Sequence, residues 1–215
     1  MRSIDKSRMS APRRLSVGVL AAGILAPTLA LAHHPTGGMT PQSFWNGFLS
    51  GIGHPMLGPD HLAFIVGIGL LVAVSKRWMW LPVAFVATLL PGVLVHAAGV
   101  GIGPSEVIVA CSVVLVGLAL LAEHRISSAI LIGAVMLAGF FHGYAFGETI
   151  VGAETSPLVA YLLGLSATIL VMTMAISWGA RQAMQAVSSS PVLARAAGGL
   201  LIVGGAIFTI QSLVV

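Results

Sequence analysis

Six apolar stretches, near residues 60–75, 78–99, 104–122, 126–147, 157–180 and 191–213, restrict what this 215-residue chain can fold into. Each is of the order of the ~20 residues that a helix needs to cross a ~30 Å hydrocarbon core. Only 7% of the residues are charged and 57% are hydrophobic, against roughly a quarter charged in an ordinary soluble domain. So much apolar surface cannot be hidden in water, which excludes a soluble enzyme. Cys111 is the one cysteine, so no disulfide within the chain holds the fold, and it reads as a small packed residue. Pro104, Pro157 and Pro191 stand where helices are expected to begin, a position that tolerates a residue without an N–H. The expected fold is an all-α integral membrane protein of six transmembrane helices.

A separate segment precedes the spans. Arg2, Lys6, Arg8, Arg13 and Arg14 make a basic start, residues 15–29 an apolar core and Ala30-Leu31-Ala32 an A-x-A cleavage site. Residues 1–32 therefore read as a cleaved signal peptide, and 33–215 as one six-span domain whose mature chain begins His33-His34-Pro35. The signal carries half of the basic residues; beyond it, five basic side chains face five acidic ones. The basic balance of the whole chain is thus no argument for a nucleic-acid partner.

The remaining basic residues sort to one side. With the mature N-terminus periplasmic, the cytoplasmic loops carry Lys76-Arg77, Arg125 and Arg181, with Arg195 just inside the last span. The periplasmic loops 99–103 and 148–156 hold two glutamates and no Lys or Arg. This follows the positive-inside rule and predicts a multi-pass bacterial inner-membrane protein with both mature termini periplasmic. The long connection 179–190, polar and rich in Ser and Gln, reads as a loop.

In that topology the ionisable residues collect at the periplasmic side: His54, Asp60 and His61 before and in the first span, His96 late in the second, His142 and Glu148 late in the fourth. Such groups are costly in a bilayer, so a one-sided collection needs a purpose. Two motifs hold most of them. In His54-Pro55-Met56-Leu57-Gly58-Pro59-Asp60-His61, Pro55 pushes His54 toward extended geometry and Pro59 suits a new helix start. A short amphipathic or re-entrant helix over 42–53 is expected before this break, which concentrates ligands as discontinuous transporter helices do. In Phe141-His142-Gly143-Tyr144-Ala145-Phe146-Gly147-Glu148, the glycines four apart predict a close helix approach beside His142.

Imidazole and carboxylate without thiolate suit divalent Ni²⁺, Co²⁺ or Zn²⁺. The predicted metal site is His54, Asp60, His61, His142 and Glu148, with His96, His33 and His34 as relay candidates, the ion being cargo and no cofactor resident. The chain has no P-loop, because neither Lys6 nor Lys76 stands in that context. Transport driven by the membrane potential is therefore expected, with lipid and a divalent ion as partners and self-association as a homo-oligomer left open. Two other classes fit less well. A membrane metallo-hydrolase predicts a His-Glu-x-x-His pair, which the chain lacks. A haem-binding electron carrier accounts for histidines at matching depth, but not for Asp60 or the Pro-Gly break.

The motifs His54-Pro-x-x-Gly-x-Asp-His61-Leu-Ala and Phe141-His-Gly-x-Ala-x-Gly-Glu148 resemble the paired signatures of the HupE/UreJ family of nickel permeases. The resemblance covers the signal peptide and all six spans. It implies uptake of Ni²⁺ or Co²⁺ from the periplasm for metalloenzyme maturation, without enzymatic activity. Tyr144 and Phe146 stand where urease-linked members often carry histidines, which implies the hydrogenase-linked branch.

Overall fold

The computed structural model describes residues 40–122, 125–186 and 190–214, and among these every regular element is helical. Seven α-helices follow one another: α1 (Phe44–Leu57), α2 (Pro59–Val74), α3 (Leu81–Ala97), α4 (Ser105–Ala122), α5 (Ser128–Gly147), α6 (Thr155–Ala186) and α7 (Ser190–Val214). Five of them are long and apolar enough to cross a membrane, and α1 with α2 brings the total to six if that bent pair is one span. The signal peptide expected over residues 1–32, its cleavage site, and His33 and His34 lie outside the described residues.

The first span departs from the expected form. With 16 residues, α2 extends only about 24 Å, short of a hydrocarbon core. It is preceded without a loop by α1, bent from it by 82°. The break is not at His54–Pro55. Pro55 sits inside the last turn of α1, where it costs the single bond to the Gly51 carbonyl, and the chain leaves helical geometry only at Gly58 (φ −82°, ψ 115°). Gly58 precedes Pro59, whose ring disfavours helical geometry in the residue before it. Ser43 caps the start of α1 through the Asn46 N–H at 3.2 Å.

Glycine-lined seams hold the bundle, as expected where lipid removes any hydrophobic drive between helices. Gly47 lies against Pro157 and Gly51 against Tyr161, a step of four residues in each helix, so α1 and α6 run side by side in the same direction. In α5, Gly139, Gly143 and Gly147 line one face, where an added Cβ would strike the carbonyls of Phe85, Leu89 and Val93 on α3. The sequence pointed to the last two of these; Gly139 extends the same stripe by a turn. The α4–α7 seam uses Gly117 and Gly198 in the same way.

Side-chain bonds tie the ends. Arg181 Nη2 donates to the Val72 carbonyl at 2.6 Å, one of the four that the end of α2 leaves unpaired. Arg77 Nη2 donates to Ile126 at 2.7 Å, joining the α2–α3 and α4–α5 connections. Two loops read as sharing a basic face are thus linked directly, and Arg181 ties the third segment to the end of α2. The polar stretch after Gly179 is helical as far as Ala186, contrary to the loop expected there. Its Ala, Arg, Gln and Met residues are good helix formers, and Arg181 is braced by its bond to α2. Cys111 is exposed on α4 rather than packed inside, with Sγ 3.7 Å from Thr209 Oγ1 of α7.

Candidate functional site

The break between α1 and α2 places two imidazoles on either side of Gly58, both turned into the bundle. His54, in the last turn of α1, is 4% exposed, and His61, in the first turn of α2, is 9% exposed. Both rings pack on Phe146 of α5, with centroids at 5.0 and 4.2 Å. The bend therefore gathers onto one ring two residues that a straight helix would set about 10 Å apart along its axis.

His61 meets His142 directly. Their Nδ1 atoms are 2.9 Å apart, and His142 is fully buried. On its other side His142 Nε2 lies 2.9 Å from Ser112 Oγ of α4, and that hydroxyl donates to the Val109 carbonyl at 2.6 Å. Around the pair stand Phe64, stacked on His142 at 4.5 Å, and Phe85, edge-on at 5.4 Å, both buried. The pair is held among aromatic rings deep in the bundle, where water is a poor substitute for a missing partner and each hydrogen bond counts.

His54 has its own support. Its Nδ1 is 2.8 Å from the Tyr161 hydroxyl and 3.0 Å from Thr149 Oγ1. Tyr161 in turn donates to the Phe146 carbonyl at 2.7 Å, one of the unpaired carbonyls at the end of α5. Asp60 is half-buried in the first turn of α2, where its charge suits the helix dipole, and its Oδ1 accepts from the His61 N–H at 2.8 Å.

The other candidates lie apart from the pair. Glu148 is exposed, on the 3-10 turn Glu148–Ile150 that follows α5. His96 is half-buried; its Nδ1 donates to the Tyr144 carbonyl at 2.6 Å and its ring stacks on Tyr144 at 4.3 Å. Tyr144 secures the α3–α4 connection: its hydroxyl donates to the Val100 carbonyl and accepts from the Ile102 N–H. Among the described residues, no three His, Cys, Asp or Glu side chains are gathered closely enough to hold a metal ion together. Of the five residues expected at the site, the structure brings together an imidazole pair and a third imidazole across Phe146, with the two carboxylates at the flanking helix ends. The reason is that Glu148 follows the helix end and turns outward, while Asp60 is engaged with its own helix start.

Three supporting residues escaped the sequence reading: Ser112, Thr149 and Tyr161, all buried. A signal was present for Tyr161. It is one of two tyrosines in the chain and lies within an apolar span, where a phenol must find a partner. For Ser112 none was, because a serine in a transmembrane helix commonly satisfies itself on a preceding carbonyl.

The geometry offers buried imidazole nitrogens with the Asp60 carboxylate at the same helix start, donor types that divalent transition-metal ions accept. Comparison with known proteins agrees with the motifs. Residues 20–208 match the model of a family described as HupE / UreJ protein. The protein HupE of Rhizobium leguminosarum bv. viciae is 27% identical over 164 residues, which cover 75% of this chain and 83% of that protein. No solved structure matches.

Proposed function

The chain belongs to the HupE / UreJ protein family, and from that premise we propose that it is a secondary transporter taking up Ni²⁺, with Co²⁺ as a second cargo, from the periplasm. The observation that carries this reading is the buried imidazole pair His61–His142 beside a helix break, with His54 across the Phe146 ring. A broken helix with ligand side chains at its two ends is how many transporters bind an ion inside a membrane.

In this reading the exposed carboxylate of Glu148 and the half-buried Asp60 draw a hydrated cation toward the break. His54 and His61 then replace part of its water. Few and separate donors favour release, which conduction requires as much as capture. An inside-negative potential contributes about 2.3 kcal/mol per charge per 100 mV, so a divalent ion gains about 4.6 kcal/mol, more than three decades of concentration ratio. Below the pair, Phe64 and Phe85 close the way, so passage requires these rings or the α1–α2 bend to shift.

The proposal includes an inner-membrane location, a signal peptide removed after Ala32 and periplasmic mature termini, supported by the basic loops that Arg77 and Arg181 join at one end. Tyr144 and Phe146 support a hydrogenase as recipient of the ion. A haem between His61 and His142 is disfavoured, because rings bonded directly at 2.9 Å leave no room for a porphyrin.

The test is uptake of submicromolar Ni²⁺ by purified protein in proteoliposomes, with and without an inside-negative potential and with Co²⁺ or Zn²⁺ as competitor. Saturable uptake that rises with the potential is expected. Equal uptake by protein-free vesicles overturns the assignment.

A further inference from the structure

The helices α4 and α5 follow one another with only residues 123–127 between them, yet each is drawn toward a different partner. Gly117 of α4 seats against Gly198 of α7, and Gly139, Gly143 and Gly147 of α5 seat against α3. What remains between α4 and α5 is a groove of about 370 Å³. That lies within the ~300–1,000 Å³ usual for ligand-binding cavities.

Cys111, Leu115 and Leu118 form one wall, at the i, i+4 and i+7 spacing of a single helix face, and Ile126, Ile130 and Ala134 form the other. Leu115, Leu118 and Ile130 are exposed on the outer surface of the bundle, so the groove opens sideways to lipid. Along α4 it runs for about 10 Å. Side chains lining an unfilled groove lose dispersion contacts, and in a bilayer hydrocarbon is at hand to supply them.

One end of the groove is charged. Ile126, the lining residue nearest the loop, offers its carbonyl to Arg77 Nη2 at 2.7 Å. The same guanidinium lies 4.9 Å from the ring centre of Trp78, and Arg77 is exposed. Two contacts thus hold it at the mouth, while the carbonyl takes only one of its five N–H donors. Arg125 is also exposed and adjoins Ile126 in the chain. Together the connections 75–80 and 123–127 carry Lys76, Arg77 and Arg125 against the single acidic Glu123, so this end is basic. An apolar slot that ends in arginines matches both halves of an anionic phospholipid. A second copy docked through this face about a two-fold axis along the membrane normal would bring its own Arg77 and Arg125 to the same end, like charge against like.

We propose that the groove between α4 and α5 binds one anionic phospholipid, with an acyl chain between the helices and the phosphate held by Arg77 and Arg125. Basic pockets between transmembrane helices hold acidic headgroups in this way, and each arginine near a membrane surface contributes about fivefold. The inference is independent of the transport reading and stands whether or not the protein carries an ion.

The test takes the full chain in mild detergent, titrated with phosphatidylglycerol or with phosphatidylcholine of the same acyl chains, and counts the complexes by native mass spectrometry. Wild type is expected to bind one phosphatidylglycerol at least fivefold more tightly than phosphatidylcholine. Arg125→Gln should weaken phosphatidylglycerol about fivefold and leave phosphatidylcholine unchanged. Ala134→Phe, which fills the groove, should abolish the one-to-one complex. Should that variant fail to accumulate, Leu115→Trp blocks the groove from its exposed wall and is expected to do the same. Equal affinity of wild type for the two lipids overturns the proposal, as does undiminished phosphatidylglycerol binding in the blocked variants. A lipid-free dimer that separates when the groove is blocked overturns it too, because the occupant is then a second copy.

Discussion

His61 and His96 look alike in the sequence, each an imidazole at one end of an apolar helix, and both bond to the last turns of α5. Their partners separate them. His96 donates to a backbone carbonyl, that of Tyr144, and lies flat on the Tyr144 ring. It thereby satisfies one of the carbonyls that the end of α5 leaves unpaired, which makes it a brace between α3 and α5. His61 is bonded to the side-chain nitrogen of His142, inside a ring of phenylalanines. An imidazole tied to a carbonyl has its donor role imposed by an immovable acceptor. One tied to another imidazole faces a partner that can itself either donate or accept. The two histidines thus differ in partner as well as in burial.

The largest effect is expected where both neighbourhoods fail together. Gly143 abuts the Leu89 carbonyl in the α3–α5 seam, and Gly143→Leu forces the helices apart and displaces His142 and Tyr144 at once. Overpacking of this kind costs ~1–3 kcal/mol or more, and the variant should be nearly absent from purified membranes by quantitative immunoblot. Next comes His61→Ala, which keeps the seam and the His96 brace but removes a proposed ligand. Ni²⁺ uptake at equal expression should fall to background, and thermal unfolding in detergent should come earlier, because His142 Nδ1 loses its buried partner at a cost of about 1–3 kcal/mol; wild-type uptake in this variant breaks the distinction drawn above.

A smaller change is expected for Glu148→Gln. An exposed carboxylate attracts a cation by about 1 kcal/mol or less, so the half-saturating Ni²⁺ concentration should rise no more than about fivefold. The rise should fade at high ionic strength, which a salt series on uptake will read. The smallest transport effect belongs to His96→Phe, which preserves the stack on Tyr144 and loses the bond to its carbonyl. A hydrogen bond between membrane helices averages ~0.6 kcal/mol. The variant should therefore unfold slightly earlier and transport with wild-type half-saturation, whereas a tenfold loss of affinity would put His96 in the ion path.

How much of this was legible beforehand depends on the range of the interaction concerned. The break before Pro59 could be read because proline acts on its immediate neighbour, although Pro55 proved tolerable one turn from the end of α1. The basic loops were legible one by one, but not the bonds of Arg77 to Ile126 or Arg181 to Val72 that join them. The α6 extension was misread because polarity was weighed above helix propensity over residues 179–186. At the site, His54, His61 and His142 were visible as costly residues in an apolar setting. Ser112 and Tyr161 were overlooked because their worth comes from what they face.

Sequence alone marked the bilayer as solvent and located the apolar segments, because hydropathy and loop charge are properties of short windows that need no knowledge of distant segments. It also marked the break, since that rests on Gly58 and the proline that follows it. Tertiary structure alone decided that His61 meets a residue 81 positions away, that His96 does not join them, and that Glu148 turns outward. Those outcomes hang on glycine seams that bring backbones into contact and set the rotation of each helix. A rotation of one residue, about 100°, would have sent the same imidazole into lipid.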